Sequence, residues 1–139
     1  MATEVKANVV LLEKTQLKGK GHTDHEVLID YIPPLGNDNG FMPTELLLIS
    51  LAGCSGHTLM FLLQRMGKTL EGLEVHALGK RREEHPTVFT DIELQFSLKG
   101  EQLDAASVEK AISLSKETYC PVYAMLKDSV SIIWTYSIT

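Results

Sequence analysis

The sequence predicts an α+β fold in the order βββ-α-ββ-α(α)-β, as one domain over residues 1–139. Three observations carry this. Ile92, Leu94, Phe96 and Leu98 alternate strictly with polar residues, the period of a strand with one buried face. A long apolar run opens at Pro43 and closes at Met66-Gly67, the signature of a helix. Beyond Gly100 a helical pattern is broken at Pro121 and gives way to a second alternating run, Val130 to Ile138.

Taken in chain order, residues 3–12 (TEVKANVVLL), 14–21 and 25–32 (HEVLIDYI) read as three strands. The next segment, PPLGNDNGFM, is a loop by its prolines, glycines and asparagines. Pro43 fits the first turn of a helix, where a missing N–H costs little, and Gly67 fits its C-cap. Leu46, Leu47, Leu48, Ile49, Leu51 and Ala52 leave almost no polar stripe in the first half of this helix. A helix apolar all round must be covered on all sides, which one small domain rarely does. A dimer, or a central helix wrapped by sheet, is therefore expected. Leu73, Val75 and Ala77 begin a strand that runs into Arg81 and Arg82. Glu84-His85-Pro86-Thr87 turns it into the strand of Ile92 to Leu98. Residues 104–118 place Ala105, Val108, Ile112 and Leu114 at helical spacing. Pro121 interrupts this helix, and residues 121–128 restart it.

Composition narrows the function classes. At 139 residues, 44% hydrophobic and 22% charged, the chain needs no disulfide scaffold to fold. A net charge of −5 with no basic run gives no electrostatic support for a nucleic-acid partner. The uninterrupted apolar run Leu46 to Ile49 is far shorter than a membrane span, so no membrane role is expected. The segment MATEVKANVV has no signal-peptide character, and a cytoplasmic location is expected. There is no C-x-x-C and no H-x-x-x-H, and the five histidines are scattered, so no metal site is expected.

The chain has two cysteines, Cys54 and Cys120. In a reducing compartment a pair of thiols is more often catalytic or redox-sensing than structural. Cys120 precedes Pro121 at the helix restart, where the unpaired N–H groups and positive dipole end favour a thiolate. A buried cysteine filling a helix kink fits that position equally well. Cys54 lies mid-helix in a run that ought to be buried, where burial alone makes a thiol inert. Activation then needs a polar neighbour. His57, three residues on, shares its face; Glu45 points away; Thr44 is better placed, about 80° around. A packed histidine is the plainer reading of His57. Gly53 and Gly56 flank Cys54 and leave room for another helix or a substrate. Arg81 and Arg82 either form a solvated charge run at the hairpin end or send one guanidinium to a thiolate or peroxide oxygen.

Two segments, PTELLLISLAGCSGHTLMFLLQRMG and AISLSKETYCPVYAMLKDSVSIIWTY, with the hairpin between them, resemble the OsmC/Ohr family of osmotically induced and organic hydroperoxide resistance proteins. The resemblance runs from about Pro43 to Tyr136, and KRREEHPTVFTDIELQFSLKG looks like a less characterised OsmC-like branch. It implies an intertwined homodimer, two central helices wrapped by antiparallel sheets. It also implies thiol peroxidase chemistry on organic hydroperoxides or hydrogen peroxide. Cys54 would become a sulfenic acid, Cys120 would condense with it to a disulfide, and a dithiol reductant, a protein or small molecule, would reopen that bond. No cofactor is implied. Two residues depart from the family pattern. Its peroxidases carry Glu directly after the motif proline, where this chain has Thr44 and then Glu45. They also use an N-terminal arginine, whereas only lysines precede Arg65 here, leaving Arg81 or Arg82 as the candidates. The alternative reading is a non-enzymatic OsmC-like protein that binds a small apolar ligand or senses redox state, with poor peroxide turnover.

Overall fold

The computed structural model describes residues 3–139. The chain divides into two compact units between Leu47 and Leu48. In the first unit, β1 (Asn8–Glu13), β2 (Gln16–Lys20) and β3 (Glu26–Ile29) form an antiparallel sheet in sequence order. Glu13 pairs with Gln16, so Lys14 and Thr15 make the tight turn, with Lys14 in the left-handed region at φ 50°. The sequence placed a strand over residues 3–12; the observed β1 starts at Asn8 and all six of its residues are exposed. After β3 the chain loops and returns beside it through a parallel bridge, Ile29 to Phe41.

One buried carboxylate organises that loop. Asp30, 3% exposed, accepts hydrogen bonds from Thr15 Oγ1 (2.6 Å), Tyr31 N (2.8 Å), Asn39 N (3.1 Å) and Asn37 N (3.2 Å). Three loop amides thus find a fixed acceptor, as buried backbone donors require. The Thr15 hydroxyl, followed by the backbone donors, holds the Asp30 carboxyl below its usual value despite burial.

Helix α1 (Pro43–Arg65) carries proline at its first position, and the Glu45 carboxylate accepts from the Met42 N–H at 2.9 Å. That is one half of a capping box. The helix closes at Gly67, whose φ of 78° suits a residue without Cβ. By length and apolarity α1 qualifies as a membrane-crossing helix, a property the short Leu46–Ile49 run does not reveal.

In the second unit, β4 (Gly72–Arg81), β5 (Phe89–Lys99) and β6 (Ser131–Ile138) form a sheet in that order. The expected alternation of β5 is observed: Ile92, Leu94, Phe96 and Leu98 are at most 1% exposed, while Asp91, Gln95 and Lys99 face outward. Leu51, Leu59, Leu62 and Leu63 of α1 join them in one core with Val108 and Ala111 of α2 (Ala105–Leu114). Gly56 allows the close approach: a Cβ there would sit 3.4 Å from both Leu73 and Val75.

Two features correct the sequence reading. The sheet is mixed, since β6 runs parallel to β5. The helical segment between them, residues 100–130, is long enough to serve as the crossover that parallel pairing demands. The helix expected over 104–118 ends at Leu114, and residues Ser115–Tyr119 form a π-helical turn before α3 (Pro121–Leu126). Tyr123 of α3 packs edge-on against Trp134 at 5.3 Å, which itself stacks on Phe96 at 5.2 Å. Aromatic contact thereby ties α3 to the sheet.

Candidate active site

The fold brings the two cysteines together across 66 residues of sequence. Cys120 Sγ lies 3.4 Å from Cys54 Sγ with its thiol placed to donate, and both sulfurs are free. Cys54 comes from the middle of α1 and is half-buried rather than fully enclosed. Cys120 is 2% exposed and occupies the N-cap of α3, with φ −86° and ψ 101°.

The position of Cys120 was expected to favour a thiolate. Burial pushes its thiol the other way, up to about 11. The Tyr123 and Val122 N–H groups at the start of α3 do favour the anion, but less than desolvation and the neighbouring Cys54 sulfur oppose it. Cys120 is therefore the enclosed member of the pair, its thiol raised by burial, and Cys54 the more accessible one.

Two hydroxyls beside the sulfurs escaped the sequence reading. Ser115 Oγ donates to Thr58 Oγ1 at 2.9 Å, and Thr58 Oγ1 donates to the Ser55 carbonyl at 3.0 Å. Ser115 and Ser55 are fully buried. The signal for Thr58 was its i, i+3 spacing from Ser55 in a mostly apolar helix; Ser115 carried none.

The supporting residues are placed differently from the cysteines. Arg81 Nε donates to the Thr87 carbonyl at 2.6 Å and its Nη2 bonds the Thr87 hydroxyl. Arg82 Nε donates to the Pro86 carbonyl at 2.8 Å. Both guanidiniums pin their own hairpin turn, and neither hydrogen-bonds to a sulfur. Glu45 is a helix cap. Thr44 is half-buried in the first turn of α1. His57 is exposed and stacks on Phe61, ring centroids 5.7 Å apart. With Ile49, Ala52, Gly53, Gly56, Leu73 and Val75 it lines an open apolar groove of about 410 Å³, which Cys54 itself does not line. Among the described residues no three His, Cys, Asp or Glu side chains cluster as metal ligands.

The sequence matches the OsmC-like protein family over residues 36–135. It is 34% identical to protein YhfA of Escherichia coli K12 over 136 residues, 96% of this chain and 98% of that protein. The fold matches a hypothetical protein from Aquifex aeolicus VF5 with a TM-score of 0.88 and 27% identity, covering 99% of this chain and 98% of the other. It also matches an organic hydroperoxide resistance protein from Elizabethkingia anophelis, at TM-score 0.74 and 17% identity over 100% and 99% of the two chains. The matched residues include both cysteine segments and the hairpin between them, and the chain belongs to the OsmC-like protein family.

Proposed function

We propose that the protein is a thiol-dependent peroxidase that reduces organic hydroperoxides or hydrogen peroxide. The observation that carries this is the approach of an accessible thiol and an enclosed one at 3.4 Å. Cys54 attacks the distal peroxide oxygen, giving a sulfenic acid and releasing the alcohol or water. The Cys120 thiol then displaces hydroxide from that sulfur; the S–S bond forms and the thiol proton leaves with the oxygen as water. A dithiol reductant, which is itself oxidised, returns both thiols. Burial suits Cys120 to the second step, since an enclosed neutral thiol does not compete for peroxide. The apolar residues of α1 on either side of Cys54 favour alkyl hydroperoxides over small polar ones.

The working form in this proposal is a homodimer in the cytoplasm. Only 33% of the most apolar window of α1 is buried within the chain, and Ile49 and Phe61 are at least half exposed. A second copy would cover that face.

Peroxide treatment followed by intact and peptide mass spectrometry tests the chemistry. One intramolecular Cys54–Cys120 disulfide is expected; two unchanged thiols would overturn it. The open groove, together with arginines committed to their own hairpin, favours one other reading: a binding module for a small apolar ligand. Cys54→Ser separates the two, abolishing peroxide consumption in the first and sparing ligand affinity in the second.

A further inference from the structure

The close approach of the sulfurs depends on which residue of the segment after α2 faces α1. The Cys120 N–H donates to the Ser115 carbonyl at 2.9 Å, a π-type bond closing over five residues. An α-helical turn from the same carbonyl would take Tyr119 as its donor. The π-turn therefore brings Cys120 to that place and leaves Tyr119 47% exposed. Ser115, which starts the turn, is the residue held to α1 by its hydroxyl, on Thr58. Thr58 follows Cys54 by four residues, one turn along the same helix and about 40° around it. Two neighbouring rungs thus join the same pair of segments, Thr58 with Ser115 and Cys54 with Cys120. Each hydroxyl in the first rung has its acceptor.

We propose that Thr58 and Ser115 are positioning residues for the resolving step, setting the register of the π-turn so that Cys120 meets the Cys54 sulfenic acid before a second peroxide does. This rests on the dithiol reading above. The sulfenic acid has two fates. Condensation with Cys120 gives the disulfide and water. Attack on a second hydroperoxide gives Cys54 sulfinic acid and a second molecule of alcohol. The first fate needs the sulfurs to close from 3.4 Å to a bond of about 2.05 Å, a small displacement that a slipped turn would forfeit. The second fate needs no particular placement of Cys120.

The test treats the full-length protein with graded cumene hydroperoxide and quantifies sulfinic acid against disulfide by peptide mass spectrometry. Ser115→Ala and Thr58→Val are expected to raise the sulfinic-to-disulfide ratio about tenfold, the factor that corresponds to ~1.4 kcal/mol. Thr58→Ser, which keeps the hydroxyl, is expected to stay within about twofold of the parent. Ser115→Ala leaves the Thr58 hydroxyl on its acceptor, so it keeps the experiment readable where Thr58→Val folds poorly. A ratio unchanged in Ser115→Ala, even with lowered thermal stability, reduces the pair to a packing role and overturns the proposal. A parent protein that forms no disulfide overturns instead the peroxidase reading on which it stands.

Discussion

Cys120 directs its thiol at Cys54 from 3.4 Å away while itself lying 2% exposed. The pair is unequal in access, and the inequality is measurable. Iodoacetamide is expected to modify Cys54 first in the reduced protein. At pH 8 a thiol pushed up to about 11 is about one part in a thousand thiolate, and its enclosure slows it further. Timed quenching and peptide mapping should find Cys54 carbamidomethylated with Cys120 intact. Equal rates at the two sites would show that Cys120 is reached without unfolding.

The raised Cys120 thiol also links stability to alkaline pH. Its folded value, about 11, exceeds its ordinary 9.0, so between those values the unfolded chain binds fewer protons than the folded one. Stability from this group is full below about pH 9 and is lost as pH rises through about 11. The denaturant midpoint of the parent is expected to fall more steeply over that window than that of Cys120→Ala. Parallel pH profiles would show that the thiol titrates alike in both states.

Asp30 supplies the opposite sign. The Thr15 hydroxyl, with the backbone N–H groups of Asn39, Asn37 and Tyr31, holds its carboxyl below 3.8. The stability it contributes is present above that value and lost as pH falls through the depressed one. Asp30→Ala strips three loop amides of their acceptor. Amide exchange at Tyr31, Asn37 and Asn39 is expected to quicken at least about tenfold at neutral pH, with α1 and β5 amides little changed. Uniform acceleration would instead mark global destabilisation.

The regular elements were legible because their periods are strong. The strict alternation of Ile92 to Leu98 fixed β5, and Pro43 with Gly67 bracketed α1. The parallel pairing of β6 was not legible, because alternation reports which face is buried and says nothing of strand direction. The π-turn escaped for a related reason: Ser115–Tyr119 carries no composition that separates five-residue closure from four. At the site, sequence and resemblance named both cysteines but not the burial that raises the Cys120 thiol. The N-terminal position of Cys120 was visible locally, while the burial that outweighs it belongs to the folded chain. Arg81 and Arg82 are a local case, since Thr87 and Pro86 lie only six and four residues on. Their charge was plain, but that Thr87 and Pro86 carbonyls would absorb it was not.

Gly53 offers a test of the proposed second copy. It sits mid-helix, exposed, and a Cβ added there meets nothing within 4 Å in this chain. In an isolated chain, Gly53→Ala should stabilise by about 1 kcal/mol, the usual difference between the two residues in a helix interior. Gly56 differs, since Leu73 and Val75 already stand at contact distance. A glycine that costs helix stability with nothing approaching it from its own chain fits a surface on which another helix packs closely. With the apolar face of α1 as the dimer contact, the added methyl is expected to overpack it and cost association about 1–3 kcal/mol. Sedimentation equilibrium should show Gly53→Ala shifted toward monomer relative to the parent. A variant that is more heat-stable yet associates as before would move the contact away from this face of α1.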